Sequence, residues 1–413
     1  MSGPYLVWVA GVGWDRIRGT DRHLVAALTR HARVLWVDPP VSPLTPAWRR
    51  GAAGRLPVPQ LSEVDDRVTR LTPVALPGLT RRGIRVSTWP LVRAQLRWAL
   101  RRLRVRPYAV VAASLDDVLG RWGADVRDVL FGTDDYVAGA ELMRQDATRL
   151  RRQERRALRR ADVVVAVSPG LRDRWAAVRQ ALGRPGDPVL VPNGCNAPNG
   201  CDPDLASSGL AGSELAGLDL AGPVVGLVGH LSERIDMGML EAVADTGLTL
   251  LIVGPHDPRW EPQRFAALAG RPTVHYAGWV PTDAVAGYLA AIDVGITPYR
   301  DTPFNRASFP LKTLEYLAAG KSVVSTDLPA AHWLADDLAA AGLAAAGVLA
   351  LAAGPDQMAA AVRAAAALGH SPELSARRRA FAARHSWPRR AEAFAAAIGL
   401  AARDSSPTRP VEV

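Results

Sequence analysis

Short apolar runs separated by amphipathic stretches recur along the whole chain. The runs cover residues 5–9, 34–37, 108–112, 129–132 and 162–167 in the first half, and 223–228, 248–254, 274–277 and 293–298 in the second. Runs this short and this apolar are typical of strands buried in a parallel sheet. Between them, apolar residues recur at helical spacing, as at residues 20–28 and 284–291. This alternation predicts two doubly wound α/β domains.

The clearest break in the pattern is a polar, Gly- and Ala-rich segment at residues 195–222. Its composition predicts a linker between a first domain at residues 1–194 and a second at residues 223–386. A helix at residues 387–403 follows, and residues 404–413 are expected to be a disordered tail. The linker contains the acidic pattern Asp202-Pro203-Asp204, which we do not interpret as a metal site because it does not follow a buried strand. Residues 39–59 are rich in Pro, Gly and Arg and predict an irregular loop.

Composition narrows the class of protein. A chain of 413 residues, 48% hydrophobic and 22% charged, is long enough for two globular domains. The net charge of +10 favours acidic partners such as nucleotide phosphates, anionic lipid or nucleic acid. Two cysteines are too few for a disulfide framework, and no stretch reads as a signal peptide or a membrane span. We therefore expect a cytoplasmic protein.

One segment, at residues 305–325, concentrates the candidate chemistry. It reads N-R-A-S-F-P-L-K-T-L-E-Y-L-A-A-G-K-S-V-V-S. Ser308 is the predicted N-cap and Pro310 the predicted first helical residue. A helix N-terminus there would suit an anion. Lys312 in the first turn and Glu315 one turn later could hold a phosphate and a pair of hydroxyls, as a nucleotide sugar requires.

The run S-F-P-L-K-T-L-E-Y-L-A-A-G resembles the donor-binding motif of the family 4 glycosyltransferases. These enzymes have the two-domain GT-B fold, and the run is most similar to the bacterial TuaH-like subgroup. The resemblance implies that the helix at residues 387–403 crosses back to the first domain. The resemblance implies that Glu315 binds the donor ribose. The family's first glutamate would fall at Ala307 and is absent, so Asn305 or Ser308 could replace it. The donor-binding residues implied here are Asn305, Ser308, Pro310, Leu311, Lys312 and Glu315.

Further blocks extend the resemblance through the first domain. The run G-W-D-R-I-R-G-T-D-R-H-L begins at Gly13 and resembles the first loop of the subgroup, in which Gly11 and Gly13 would approach the donor phosphates or the acceptor. It is not a dinucleotide fingerprint, since Arg16 occupies the third glycine position. The runs A-D-V-V-V-A-V-S-P-G-L and V-L-V-P-N-G resemble the end of the first domain. The acceptor-side candidates in the first loop are Trp14, Asp15 and His23.

Two adjacent carboxylates follow the predicted strand at residues 129–132. Asp134 and Asp135 stand at its carboxyl end, where a doubly wound domain exposes its chemistry. Neighbouring side chains on an extended chain point in opposite directions, so one of the two is expected to face the cleft. We favour Asp134 as a catalytic or acceptor-orienting residue, with Asp135 next. The alternative is that these residues cap the following helix.

The second domain offers two more donor contacts. The loop after the strand at residues 223–228 carries Arg234 and His230, either of which could contact the diphosphate near a helix starting at Asp236. The loop at residues 278–280 resembles the family's base-reading loop, in which the main chain at Val280 would contact the base. Trp279 in that loop could pack or stack.

Arginine-rich helices supply two basic surfaces. Residues 89–105 predict a helix with an apolar stripe and a basic remainder. That remainder is either a solvated face or a surface for anionic lipid. The basic run at residues 149–160 lacks interleaved aromatic residues, so we do not expect nucleic acid as a partner. The stripe residues are Val92, Leu96, Ala99, Leu100 and Leu103.

The resemblance implies transfer of a sugar from a nucleoside diphosphate sugar, with UDP favoured, to an acceptor hydroxyl. It implies retention of configuration without a metal or other cofactor, for a cell-surface glycan or a natural-product glycoside. Lys312, Arg234 and the helix N-terminus would stabilise the leaving diphosphate by preorganised electrostatics. Two alternatives stay open. One is a nucleotide-sugar epimerase of the same fold, and the other, suggested by Ala307, is a non-catalytic homologue that serves as a partner protein.

Overall fold

The computed structural model describes residues 3–16, 18–42, 58–77, 82–184, 186–196, 220–281, 284–343 and 347–400. It divides into two compact units. The first comprises Met1–Val167, Leu171–Val191 and Pro388–Val413, and the second comprises Ser168–Gly170 and Pro192–Trp387. Most of the predicted linker, its Asp202-Pro203-Asp204 pattern, residues 43–57 of the predicted loop and the predicted tail lie outside the described residues.

The first unit is built on an eight-stranded sheet. Its strand order is β3-β4-β2-β1-β5-β6-β7-β8, and its pairings are parallel apart from β3 with β4. The central strands are buried along nearly their whole length, as their continuous apolar runs predict. The strands are β1 (Tyr5–Val9), β2 (Arg33–Val37), β3 (Gln60–Glu63), β4 (Val68–Thr72), β5 (Ala109–Ala112), β6 (Arg127–Gly132), β7 (Val163–Ala166) and β8 (Val189–Leu190).

The helices of this unit pack on the sheet through apolar stripes. The predicted stripe of the long second helix is confirmed, since Val92, Leu96 and Ala99 are completely buried. The last helix of the chain also contributes here. Phe394 packs against Trp8 and Phe131, with ring centroids 5.5 and 5.6 Å away. The helices are α1 (Thr20–Leu28), α2 (Arg82–Leu103), α3 (Ala147–Arg160), α4 (Pro169–Ala181), which begins in the second unit, and α13 (Trp387–Ala397).

The second unit has a six-stranded parallel sheet in the order β11-β10-β9-β12-β13-β14. The order runs outward from β9 in one direction and continues from β12 in the other, as in a doubly wound nucleotide-binding domain. The strands are β9 (Val224–Val228), β10 (Thr249–Val253), β11 (Val274–Gly278), β12 (Val294–Thr297), β13 (Ser322–Thr326) and β14 (Leu349–Ala352).

Helices cover both faces of this second sheet. Helix α5 begins where the sequence predicts, and a side chain caps the N-terminus of both α5 and α12. Asp236 caps α5 by accepting a hydrogen bond from the Met239 N–H at 3.0 Å, and Ser371 caps α12 through the Leu374 N–H. The helices are α5 (Met237–Ala244), α6 (Pro262–Ala269), α7 (Val285–Ala291), α8 (Pro303–Arg306), α9 (Leu311–Ala318), α10 (Pro329–Ala340), α11 (Pro355–Ala367) and α12 (Pro372–Arg384).

Differences from the sequence-based prediction are local. The polar hairpin β3–β4, helix α10 and strand β14 are not predicted, because their apolar patterns are short or masked by alanine. Thr20 is of a residue type that favours the N-cap position, but it does not cap α1. Gly19 takes that place with an extended backbone, and Thr20 is already helical. In the described part of the chain, no helix has the length and apolar character needed to cross a membrane.

Candidate functional site

The loops after β9 and β12 meet at the point where the strand order of the second unit reverses. Ligands of doubly wound sheets bind at such switch points. Ile235 forms an antiparallel bridge with Tyr299. The Arg300 N–H donates to the Arg234 carbonyl at 2.9 Å, and the Asp236 N–H donates to the Pro298 carbonyl at 2.8 Å. The two loops are therefore joined by backbone hydrogen bonds at the switch point.

Arg234 is held in place at this junction. Its Nε donates to Asn305 Oδ1 at 3.0 Å. Its guanidinium lies 5.2 Å from the ring centroid of Tyr299 and 4.9 Å from that of Phe304. The hydrogen bond to Asn305 and the contacts with the two rings fix the orientation of the guanidinium. Its remaining N–H donors are therefore preorganised for an anion. Arg234, Tyr299 and Asn305 line a small pocket with Ser308 and Pro310.

Asn305 and Ser308 support the loop and are committed to protein partners. Asn305 is 3% exposed, and its Nδ2 donates to the carbonyls of Arg234 at 3.0 Å and Arg300 at 2.9 Å. Ser308 is buried, and its Oγ donates to the Phe304 carbonyl at 2.9 Å. These hydrogen bonds position the loop that carries Arg234. Neither Asn305 nor Ser308 therefore offers an uncommitted side chain that could replace the family's first glutamate.

The start of α9 differs from the prediction. Ser308 is not the N-cap, because its hydroxyl is bound to the preceding turn. Pro310 is the N-cap, with extended backbone (φ −71°, ψ 116°), and α9 begins at Leu311. No side chain caps this end. The N–H groups of the first turn therefore point to a position where an anion can act as the cap.

Lys312 and Glu315 lie on one face of α9, as their spacing predicts. Lys312 Nζ donates to Glu315 Oε2 at 2.5 Å. Both side chains are about two-thirds buried, with 29% and 31% of their surfaces exposed. A bound nucleotide would therefore have to compete with this ion pair for both groups.

Tyr316 ties α9 to the sheet beneath it. Its hydroxyl accepts a hydrogen bond from the Val228 N–H at 2.7 Å, at the end of β9. Its ring covers Gly295 of β12, where an added Cβ would come within 2.3 Å of the ring. Burial raises the pKa of this phenol. The glycine and the buried tyrosine together fix Lys312 relative to the loop that carries Arg234.

Three residues that the sequence does not single out for the site anchor residues 306–309. Asn193 Nδ2 donates to the Phe309 carbonyl at 2.7 Å. The Ser168 hydroxyl donates to the Ala307 carbonyl. A Cβ on Gly170 would lie 2.6 Å from the Arg306 carbonyl. All three belong to the second unit. Their motifs are visible in sequence, but their role depends on tertiary placement.

Glycines at the ends of β9, β10 and β11 allow three backbone segments to approach closely. The Gly254 N–H donates to the Gly278 carbonyl at 2.7 Å, and the Gly229 N–H donates to the Val253 carbonyl at 2.8 Å. At Gly254 (φ +133°) an added Cβ would lie 1.9 Å from the Gly229 carbonyl oxygen. The crowding requires glycine at this position.

The other predicted donor-site residues, His230, Trp279 and Val280, follow the carboxyl ends of strands β9 and β11. Trp279 is 69% exposed, so it does not pack in the core, whereas Val280 packs against the core from a half-buried position. His230 is exposed. Arg259, and to a smaller extent His230, hold the pKa of Asp257 below its ordinary value. A donor contact by His230 or Val280 stays a prediction.

The corresponding edge of the first unit is the switch point between β1 and β5. The Tyr136 hydroxyl donates to the Ala113 carbonyl at 3.0 Å and lies 2.9 Å from Thr133 Oγ1. A Cβ on Gly11 would lie 3.2 Å from the same carbonyl and 3.5 Å from the Tyr136 hydroxyl. Gly11 therefore allows the first loop to approach Tyr136.

Asp134 and Asp135 have different surroundings. Asp135 is 2% exposed, pairs with Arg174 at 2.6 Å and accepts hydrogen bonds from the N–H groups of Val137 and Ala138. Asp134 is half-buried. The structure places Asp135 in a buried ion pair that caps a turn, which leaves Asp134 as the candidate for chemistry.

The first-loop candidates depend on a buried carboxylate that the sequence analysis does not single out. Asp38 accepts hydrogen bonds from the Trp14 N–H at 2.8 Å and from Arg70 at 2.6 Å. Arg70 also pairs with Asp15 at 2.7 Å and holds the pKa of Asp15 low. A Cβ added at Gly13 would come no closer than 3.9 Å to Asp38, so the position has open space. His23 is half-buried on α1.

The acidic and histidine side chains do not converge on a metal centre in the described part of the chain, where no three or more His, Cys, Asp or Glu residues are grouped to hold an ion.

The family comparison addresses the second unit. Residues 222–367 match the family model described as glycosyl transferases group 1. The chain is also 39% identical over 110 residues to the Bacillus subtilis protein named putative teichuronic acid biosynthesis glycosyltransferase TuaH. That match covers 26% of this chain and 28% of the relative. The predicted resemblance to TuaH-like family 4 glycosyltransferases is thereby confirmed.

Solved structures that are similar over nearly the whole chain show its fold. Sucrose-phosphate synthase from Thermosynechococcus elongatus is 18% identical with a TM-score of 0.66, over 95% of this chain and 98% of that one. Anabaena HepE, in complex with UDP-glucose, is 15% identical with a TM-score of 0.61 over the same shares. An Escherichia coli structure titled trehalose-6-phosphate bound with UDP-2-fluoro glucose is 14% identical with a TM-score of 0.67, again over 95% and 98%. The predicted GT-B fold is confirmed.

Proposed function

We propose that this chain transfers a sugar from a nucleoside diphosphate sugar to an acceptor hydroxyl, with retention of configuration. The observation that carries the proposal is the anion site at the switch point of the second unit. There Pro310, at the uncapped N-terminus of α9, lines one small pocket with Arg234, which Asn305 holds in place. Lys312 follows in the first turn of the same helix. Helix N–H groups, an ammonium and a guanidinium together suit a diphosphate. Glu315 then holds the ribose hydroxyls.

In this reaction the bond between the anomeric carbon and the diphosphate oxygen breaks. A bond from the same carbon to the acceptor oxygen forms on the same face of the sugar. The acceptor proton moves to the leaving diphosphate, so no strong base is required. The cations of the second unit stabilise the charge that develops on the leaving group. Asp134 of the first unit orients the acceptor hydroxyl, and no metal or other cofactor takes part.

UDP is the favoured nucleotide. Two structures of similar fold are complexes with UDP-glucose and UDP-2-fluoro glucose, and the TuaH relative is named for teichuronic acid biosynthesis. These names support a UDP-sugar donor and an acceptor in cell-surface glycan synthesis. The low cysteine content is in keeping with a cytoplasmic site of action.

Two alternatives make different predictions from transfer. An epimerase of this fold would change the donor sugar without forming a glycoside. A non-catalytic homologue is suggested by Ala307, which is 5% exposed and tied to Ser168, so the family's first glutamate has no counterpart there. The intact Lys312 and Glu315 favour a working donor site.

Nucleotide release tests the proposal. The protein is incubated with a panel of UDP-, GDP- and dTDP-sugars without added metal. Lys312→Ala and Glu315→Ala are each expected to reduce release from one donor by roughly 10–150-fold, since a hydrogen bond to a charged group contributes about 1.5–3 kcal/mol. Lys321→Ala is the charge-matched control, because Lys321 precedes the amino end of β13 and donates to the Ala290 carbonyl instead. Full activity in both site variants would contradict the assignment.

The two site variants should also differ from each other. Lys312→Ala is expected to weaken inhibition by both UDP and pyrophosphate, because both carry the phosphates. Glu315→Ala should weaken inhibition by UDP alone, because pyrophosphate has no ribose and the substitution frees Lys312 from its ion pair. Equal losses for both ligands in both variants would contradict the separate roles.

A second property, peripheral contact with an anionic membrane, is favoured by α2. Its outer face exposes apolar side chains, with Val86 at 74%, Leu91 at 36% and Trp98 at 41%. Arg101 and Arg102 are exposed on the same helix. Apolar side chains that alternate with arginines suit an interface with anionic lipid headgroups.

Vesicle flotation tests this contact. The protein should float with phosphatidylglycerol vesicles and stay behind with phosphatidylcholine vesicles, and high salt should release it. The double variant Val86→Ser/Trp98→Ala should lose most of the binding. Val189→Ser, which removes an exposed valine outside α2, should bind like the wild type. Equal flotation of the wild type and the double variant would refute the α2 face.

A further inference from the structure

Asp134 lies in a loop whose neighbouring residues are held in place. This loop covers residues 133–138 and follows β6. Thr133 Oγ1 lies 2.9 Å from the Tyr136 hydroxyl, so two side chains of the loop are in contact with each other. Asp135 is 2% exposed, and its carboxylate is bound to α4. Both chain neighbours of Asp134 therefore have defined positions.

The contact between the loop and α4 is made by Arg174. Its Nε lies 2.6 Å from Asp135 Oδ2, and one of its terminal nitrogens donates to Asp135 Oδ1 at 3.0 Å. Because the guanidinium is planar, this two-point contact fixes the direction of the carboxylate as well as its distance. Asp135 Oδ1 also accepts hydrogen bonds from the N–H groups of Val137 and Ala138, at 3.1 and 2.9 Å. The ion pair thus holds the turn that follows Asp134.

A second buried carboxylate binds the same guanidinium. Arg174 donates to Glu154 Oε2 at 3.0 Å and, through its other terminal nitrogen, to Glu154 Oε1. The indole N–H of Trp175 donates to Glu154 Oε1 at 2.8 Å. Glu154 is 2% exposed and is the one acidic residue of the arginine-rich helix α3. One guanidinium therefore orients between two buried carboxylates, those of Glu154 and Asp135.

The next residue of α4 fixes the start of the loop. A Cβ on Gly132, the last residue of β6, would lie 2.3 Å from the ring of Trp175 and 2.8 Å from Leu171. Trp175 is 1% exposed, so the ring has no room to move aside. The indole fits because residue 132 is glycine. Since Arg174 and Trp175 are adjacent, one turn of α4 holds the chain on both sides of Asp134.

Packing alone does not require such a group of charges. Burial removes the hydration of two carboxylates, and the attraction to one guanidinium offsets this loss only in part. Burial accordingly raises the pKa of Asp135, although the charge of Arg174 opposes the rise. Apolar side chains of similar volume often stabilise a fold as well or better. What the ion pairs add is a fixed direction, which is needed where a loop presents a reacting group.

We propose that Arg174 is a positioning residue for Asp134. It holds Asp135, and with it the backbone on the carboxyl side of Asp134, so that the Asp134 carboxylate is oriented for the acceptor hydroxyl before the acceptor binds. Arg174 touches no substrate, and no bond changes at its guanidinium. This role rests on the proposed function. No local sequence pattern reveals it, because Arg174 is 39 positions from Asp135 and 20 from Glu154.

Nucleotide release from the donor that the panel identifies, with free monosaccharides or water as the acceptor, tests the positioning role. Arg174→Gln should lower kcat by roughly 10–100-fold and leave the KM for the donor unchanged, because the displaced group acts on the acceptor. In the Asp134→Asn background the same substitution should have no further effect, since the positioned group is gone. A further loss of equal size in that background would indicate a structural role alone and overturn the proposal. Wild-type turnover in Asp134→Asn or in Arg174→Gln would overturn it as well.

Arg179→Gln is the matched control. Arg179 lies on the same helix and is 5% exposed, but it donates to the carbonyls of Gly186, Leu158 and Ala161 instead of the loop. Its substitution should lower the Tm and leave kcat close to that of the wild type, so an equal loss of kcat at both positions would contradict the role of Arg174. Arg174→Lys keeps a charge between the carboxylates without the planar fork and should have an intermediate kcat. It replaces Arg174→Gln if that variant does not fold.

Amide hydrogen exchange, measured by NMR, tests the contact without any substrate. The N–H groups of Val137 and Ala138 donate to Asp135 and should exchange slowly in the wild type. Arg174→Gln and Arg174→Lys should accelerate the exchange of both, whereas Arg179→Gln should accelerate it no more than that of the amides of β6. Unchanged protection in both Arg174 variants would overturn the proposal. No nucleotide release by the wild type would instead refute the proposed function, and the exchange would still decide whether Arg174 holds the loop.

Discussion

Arg234→Ala is expected to lower kcat/KM for the donor by roughly 10²–10³-fold, the effect of removing one preorganised donor from a developing negative charge. The loss should fall mainly on kcat, because the guanidinium acts on the charge of the departing diphosphate. Asn305 and the rings of Tyr299 and Phe304 hold that group in place before the donor binds. Steady-state nucleotide release from the preferred donor is the measurement.

Two variants distinguish the position of Arg234 from its charge. Arg300→Ala removes an exposed arginine whose backbone pairs with that of Arg234, so it should leave turnover close to that of the wild type. Arg234→Lys keeps the charge but loses the planar donor that Asn305 holds, so its activity should be intermediate. A wild-type rate for Arg234→Ala would refute its role at the diphosphate.

Gly254→Ala is expected to destabilise the second unit by about 2–6 kcal/mol, from a strained backbone of about 1–3 kcal/mol and overpacking of about 1–3 kcal/mol. Gly254 has φ +133°, and its added Cβ would lie 1.9 Å from the Gly229 carbonyl oxygen. The strand ends would have to separate, which should also weaken donor binding. Thermal unfolding, with the protein at fixed concentration, measures the loss in Tm.

Gly247→Ala is the matched control for this crowding. Gly247 also has positive φ, at +79°, but an added Cβ there meets nothing within 4 Å. Its substitution should cost only the left-handed backbone term, about 1–2 kcal/mol. Equal losses at the two positions would show that backbone conformation, rather than the contact with Gly229, sets the requirement for glycine.

The sequence is sufficient to predict the fold wherever a buried strand or an amphipathic helix has a strong local pattern. Strands β1, β9 and β10 lie within one or two residues of their predicted limits, because continuous apolar runs mark strands that are covered on both faces. The polar hairpin β3–β4 at the sheet edge has exposed positions on both faces, so it carries no such pattern. The alanine-rich region that contains α10 and β14 gives a weak contrast between apolar and polar positions.

The residues of the candidate site can be predicted from the sequence only where they lie close together along the chain. Lys312 and Glu315 are identified from local spacing on one helix, and the structure places them in contact. The anchors Asn193 and Ser168 are more than 100 residues from the loop that they hold, so no local pattern reveals them. The start of α9 is misassigned for a related reason, since the hydroxyl of Ser308 bonds to Phe304 in α8, which the sequence does not predict.

The position of Phe394 has a consequence for how the protein is made. This side chain packs against both Trp8 and Phe131 in the core of the first unit. Tyr108 completes the connection by donating its hydroxyl hydrogen bond to the Gly399 carbonyl at 2.6 Å. Domains usually fold as the ribosome releases them, amino-terminal first. In this protein the core of the first unit is incomplete until the last helix has been synthesised. The nascent chain therefore exposes the rings of Trp8 and Phe131 until the whole second unit has left the ribosome.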